Sequence, residues 1–76
     1  MEQERQIMTV VKIVEVIGSS TTSWEDATKN ALAETAKTVR DIKSIHVDRF
    51  TANVKNDKIT EYRAVVKIAF MVRREP

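Results

Sequence analysis

Residues 59–73, ITEYRAVVKIAFMVR, decide the class of fold. Successive side chains on a strand point to opposite faces, and this run sorts cleanly at that period. One face holds Tyr62, Ala64, Val66, Ile68, Phe70 and Val72; the other holds Glu61, Arg63, Val65, Lys67, Ala69, Met71 and Arg73. Just upstream, Asn56-Asp57 reads as a two-residue turn, and residues 44–55 as a strand returning antiparallel to the first. Pairing Lys55 with Lys58 sets Val47 opposite Val66 and Ile45 opposite Ile68. The same register puts Ser44, His46, Asp48 and Phe50 on the second face, beside Ala69, Lys67, Val65 and Arg63.

Further upstream, Ser23-x-x-Asp26 and Thr22-x-x-Glu25 both have capping-box spacing. Acids there also suit the positive end of a helix dipole. The spacing predicts a helix running to about Ile42. Its inner stripe is Trp24, Ala27, Thr28, Ala31, Leu32, Thr35, Val39 and Ile42, small enough in places to lie close to a sheet. Residues 8–17, MTVVKIVEVI, are rich in β-branched residues and reach Gly18: a further strand, with two mostly apolar faces. The order is β-α-β-β, an α+β fold. Its sheet is three-stranded and antiparallel when the last strand lies between the other two. A chain of 76 residues is one domain, expected to span 1–76 with an ordered core over about 10–74 and a flexible arm at 1–7. One helix covers one face. The other keeps Phe50, Val65, Ala69, Met71 and half of the first strand's aliphatics, which predicts an obligate homo-oligomer.

Composition removes several classes of function. No cysteine means no disulfide scaffold, no Cys zinc site and no thiol catalysis, and fits a cytoplasmic setting. No apolar run approaches the ~18–20 residues of a membrane span, and MEQERQ lacks the layout of a secretory leader. A single glycine excludes Gly-rich phosphate loops. A net charge of +2 is thin support for nucleic-acid binding, and no GXXG loop or pair of stacking aromatics adds to it.

His46 is the only histidine, which makes zinc improbable and reads as a polar residue of the sheet face. Trp24, at the first helical turn, reads as core or interface. Asp26, Asp48 and Glu61, with Glu15 and Asp57, have the oxygen chemistry of a hard-cation site, though no EF-hand spacing joins them. A site shared at a symmetry axis needs no such spacing, because one residue recurs around the axis. Arg63 and Lys67 alternate on one strand face, suited to a phosphate or carboxylate, or to an acid across a subunit contact. No Ser/His/Asp set or acid–base carboxylate pair stands out, so the chain reads as a non-enzyme.

The run Val11-Lys12-Ile13-Val14-Glu15-Val16-Ile17-Gly18-Ser19-Ser20, leading to Ser23-Trp24-Glu25-Asp26-Ala27, resembles the dodecins. Residues 59–70 are similar to that family's last strand, so the likeness covers about residues 10–74. It implies a sheet partly wrapped around one helix, twelve copies forming a hollow shell, and flavins (riboflavin, FMN or FAD) held between subunits without catalysis. Flavin-binding members carry a Trp at the start of the second strand and a Gln after the Glu-Tyr pair. The matching positions are Ser44 and Arg63, flanked by His46 and Lys67. Ser44 has no π face, and an aromatic stack is worth ~0.5–1.5 kcal/mol beyond area burial. Flavin binding is therefore expected to be weak or absent. The Thr-Ser-Trp-Glu helix start and the non-aromatic Ser44 look more like a branch described as calcium-binding and flavin-free. The expectation is a cytoplasmic, non-enzymatic homododecamer that binds, stores or sequesters a small molecule. A calcium-binding or purely structural shell is the alternative, and a nucleic-acid module is disfavoured; neither nucleic acid nor membrane is an expected partner.

Overall fold

The computed structural model describes residues 8–74; the arm expected at 1–7 lies outside them. Four elements follow in order: β1 (Met8–Ser20), α1 (Trp24–Ala36), β2 (Ile42–Lys55) and β3 (Lys58–Arg74). The sheet runs β1-β3-β2, antiparallel throughout, with the longest strand at its centre. Lys55 pairs with Lys58, Val47 with Val66 and Ile45 with Ile68, as the turn chemistry requires. Asn56 (φ 53°) and Asp57 (φ 64°) both take the left-handed conformation that a two-residue hairpin needs. Asp57→Val is expected to cost about 1–2 kcal/mol, whereas Asp57→Gly raises the denaturation midpoint. A valine variant as stable as the parent in urea titration would contradict this turn.

Between turn and core the register departs from the simple reading. Arg49 pairs with Val65, Phe50 with Ala64 and Thr51 with Arg63, because β2 carries an extra residue, Asp48, between Val47 and Arg49. A second irregularity between Asn53 and Val54 restores the original pairing. Two residues against one at each place is a β-bulge. Phe50 is thereby turned from the second face to the helix side, where its ring lies 5.9 Å from Trp24. Asp48 is the residue left without a partner on β3, and its Oδ2 accepts from Arg49 Nη1 at 2.9 Å.

The helix also ends earlier than its apolar stripe suggests, at Ala36 instead of Ile42. Lys37 N donates to Glu34 O, and Thr38 N and Val39 N both donate to Thr35 O, so the last turn tightens and stops. Asp41 then takes φ 63°, and its carbonyl accepts from Met71 N at 3.0 Å. That bond pins the reversal and delivers Ile42 into the sheet opposite Phe70. Val39 and Ile42 stay half-buried, reached through the loop and strand.

At its start, α1 is fixed as the capping signal specifies. Ser23 is the N-cap, its Oγ accepting from Asp26 N at 3.0 Å. The carboxylate of Asp26 does not reach back to Ser23; it accepts from Ser20 Oγ at 2.7 Å, tying the strand end to the helix start. Ser20 Oγ in turn accepts from Thr22 N, which closes the loop tightly.

The core under α1 is small. Among the described residues it consists of Ala27, Ala31, Ala64, Val66 and Ile68, with Val14, Val16, Ile42 and Ile45 around it. The helix packs on β1 and β3 and barely reaches β2. The radius of gyration is 17.0 Å, against about 11 Å for a compact chain of this length. The shape is extended, and the helix leaves the second face of the sheet uncovered.

Candidate functional site

The second face of the sheet, away from α1, carries the side chains the sequence singles out. Its rows follow from the register. Ile13, Ala69 and Ser44 form one row; Glu15, Lys67 and His46 the next; then Ile17, Val65 and Arg49; then Ser19, Arg63 and Thr51. Val65 is buried at the centre. The β1 margin is apolar and open to water, with Val11 56%, Ile13 63% and Ile17 55% exposed. The β2 margin is polar.

Ser44, His46 and Lys67 are thus brought together, His46 directly opposite Lys67. Arg63 is not beside them. It stands four residues from Lys67 along β3, about 13 Å at strand rise, and farther still from Ser44. Within one chain these four residues make two separate stations.

Arg63 is half-buried, and its Nε is enclosed without a hydrogen-bond partner. Glu61, two residues away on β3, accepts from Asn53 Nδ2 at 2.8 Å, and Asp48 of the bulge pairs with Arg49 at 2.9 Å. The sequence does not announce three neighbours of Arg63. Arg49 and Thr51 reach this face only through the bulge at Asp48, and Ser19 only because β1 continues past Gly18.

The metal candidates lie apart. Asp26 is held by Ser20, Asp48 by Arg49 and Glu61 by Asn53. Among the described residues, no three of His, Asp or Glu converge on a point that could hold an ion.

The first face has its own exposed patch where α1 covers little of β2. Trp24 meets Tyr62 edge-on at 5.0 Å and Phe50 at 5.9 Å, and its Nε1 donates to Thr51 O at 2.8 Å. Trp24 therefore anchors the helix start to the sheet with its polar edge satisfied. Beside it Phe50 is 51% exposed, with Val47 and Leu32 also open to solvent.

Comparison with known proteins gives a consistent result. The family model described as Dodecin matches residues 10–73. The chain is 32% identical over 66 residues to calcium dodecin of Mycobacterium tuberculosis, covering 87% of this chain and 93% of that protein. The crystal structure of the calcium chelating calcium dodecin of that organism, with a novel calcium-binding site, superposes with a TM-score of 0.73 at 34% identity, covering 80% of this chain and 87% of the other. A single-residue variant of Thermus thermophilus dodecin superposes with a TM-score of 0.82 at 28% identity, covering 88% of this chain and all of that one (100%).

Proposed function

This chain belongs to the dodecin family, and from that membership we propose a single-domain, non-enzymatic protein whose copies close into a homododecameric shell that holds a small ligand, with flavin bound weakly or not at all. One observation carries the reading: two apolar surfaces lie uncovered, on opposite faces and opposite margins of the sheet. Val11, Ile13 and Ile17 of β1 lie on the second face, and Val47 and Phe50 of β2 on the first. A two-fold dimer closes on one self-complementary patch. Two unlike patches call for two kinds of contact, and combining them around different axes gives a closed, many-membered assembly. Native mass spectrometry of untreated protein is expected to give the dodecamer together with any retained ligand. A stable 8.7 kDa species in gel filtration would overturn the reading.

The flavin clause rests on Ser44 and Arg63. Neither offers a ring to stack on isoalloxazine, and Trp24, the chain's one tryptophan, is on the far side of the sheet with its Nε1 committed to Thr51. Riboflavin fluorescence is expected to stay unquenched at sub-micromolar, stoichiometric protein. Quenching there would reverse the proposal.

A second reading is favoured by the relative named calcium dodecin: calcium bound where acids of several copies meet. Asp26, Asp48 and Glu61, with Glu15 and Asp57, are the candidates, because a site shared among copies needs only one carboxylate from each chain. Binding to the folded assembly alone raises its stability by mass action. The melting midpoint is then expected to rise with calcium and fall with chelator, and a midpoint indifferent to both argues against it.

A further inference from the structure

Because α1 covers little of β2, a groove runs between them on the first face. One wall is the flank of α1 turned towards β2. Trp24 marks that flank, since its Nε1 donates to Thr51 O and its ring neighbours Phe50. Helical spacing sets Thr28, Leu32 and Thr35 on the same side. Val47 and Phe50 of β2 form the other wall. Leu32 and Val47 are each 37% exposed, and no residue of either wall is charged.

Beyond the start of α1 the β2–β3 hairpin continues as an arm. Phe50, Ala52 and Val54 alternate onto the first face, and Val54 pairs with Ile59 because Thr60 of β3 is skipped. Val54 is 65% exposed and Ile59 47%. The arm's other face is polar, with Asn53 paired to Glu61 and Lys55 to Lys58. A lone hairpin is marginally stable in water, so its apolar side calls for a cover. The chain's own groove cannot supply it. From Trp24 the helix runs about 12 Å to Leu32, while the arm runs about 10 Å the opposite way from Thr51 to Val54.

We propose that the arm of one chain seats Val54 and Ile59 in the α1–β2 groove of the next copy, so that each chain gives an arm and receives one. The seat deepens the shell reading and rests on it. A second copy fits because both surfaces are uncharged and each occurs once per chain, so a single contact covers both. On the β1 margin the arm would instead desolvate Glu15, which stands between Ile13 and Ile17. The contact is head-to-tail, and such contacts build a ring where the rotation closes.

The chain has no cysteine, so introduced thiols report this contact cleanly. Leu32→Cys, Val54→Cys and the double variant are treated as native assemblies with a short bismaleimide, and linked chains are counted on denaturing gels. The double variant is expected to give a ladder extending past the dimer, and each single variant no more than a trace of linked chains. Efficient linking through Val54→Cys alone would set arm against arm and overturn the seat. A full-sized double-variant assembly that stays unlinked overturns it too, and leaves the shell standing. A wild type that is monomeric in native mass spectrometry removes the shell and the seat together. Val54→Asp is expected to lower the subunit number with circular dichroism unchanged; a Val54→Asp assembly of full size counts against the seat.

Discussion

Gly18→Ala is expected to lower stability by about 3 kcal/mol or more, moving the melting midpoint down by more than about 10 °C. The cause is the closeness of α1 to the sheet. A Cβ at Gly18 would collide with the carbonyl oxygen of Ala27 and lie 2.8 Å from Ala31 Cβ and 3.0 Å from Ala31 N. Two of these three obstacles are helix backbone, so no rotamer change makes room. Only a shift of the whole helix does. That shift would strain the Ser20–Asp26 hydrogen bond and the bond from Asn30 Nδ2 to Ser19 O, and would open the layer of Ala27, Ala31 and Ala64 over Val66. Overpacking usually costs 1–3 kcal/mol, and this site lies at or past the upper end because the neighbour is main chain. Thermal and urea denaturation of the variant check it. A midpoint within two or three degrees of the parent would mean that α1 is not seated as described.

Ile13→Asp is expected to break the assembly while leaving the fold of each chain in place. Ile13 is 63% exposed in a single chain, and a surface substitution of that kind typically alters stability by less than about 0.5 kcal/mol. If sister chains cover the second face, the same carboxylate is buried unpaired in every copy, at several kcal/mol each. The two situations therefore differ by the whole free energy of association. Native mass spectrometry should show species smaller than the wild type, and circular dichroism should show unchanged secondary structure. Val47→Asp tests the other patch in the same way. Each single variant retains one kind of contact, so the double variant is expected to be monomeric. A full-sized Ile13→Asp assembly would assign the β1 margin to solvent and leave its exposed aliphatics unexplained.

The fold was legible because its signals are local. The alternation of residues 59–73, the Asn56-Asp57 turn and the Ser23 cap each act within a few residues, and each is found where spacing puts it. The helix end was less legible. Val39 and Ile42 continue the apolar period past the true terminus, and the residue that reverses the chain is Asp41, with no glycine or proline beside it to mark the stop. The hydrogen bond from Met71 N to Asp41 O is long-range in sequence, so no window around residue 41 contains its cause.

The candidate site was legible in part. Arg63, Lys67, His46 and Ser44 share a face as alternation requires, and the spacing of Arg63 from Lys67 already sets it apart from the other three; its neighbours Arg49 and Thr51 are what the sequence does not reveal. The bulge at Asp48 moves Phe50 to the helix side and brings Arg49 and Thr51 round to the second face. Periodicity cannot supply this. A bulge changes the sign of every facing assignment beyond it, and it is stabilised by contacts between elements: Phe50 against Trp24, and Trp24 Nε1 on Thr51 O.

The amino-acid sequence by itself determined the four elements, their order, the hairpin of the last two strands and the apolar surplus that one helix cannot cover, because pattern, capping and turn chemistry are set by neighbouring residues. Tertiary structure alone decided where α1 stops, which side Phe50 takes, and that Ser19 and Thr51 flank Arg63, because those outcomes are fixed by packing and pairing between residues far apart in the chain.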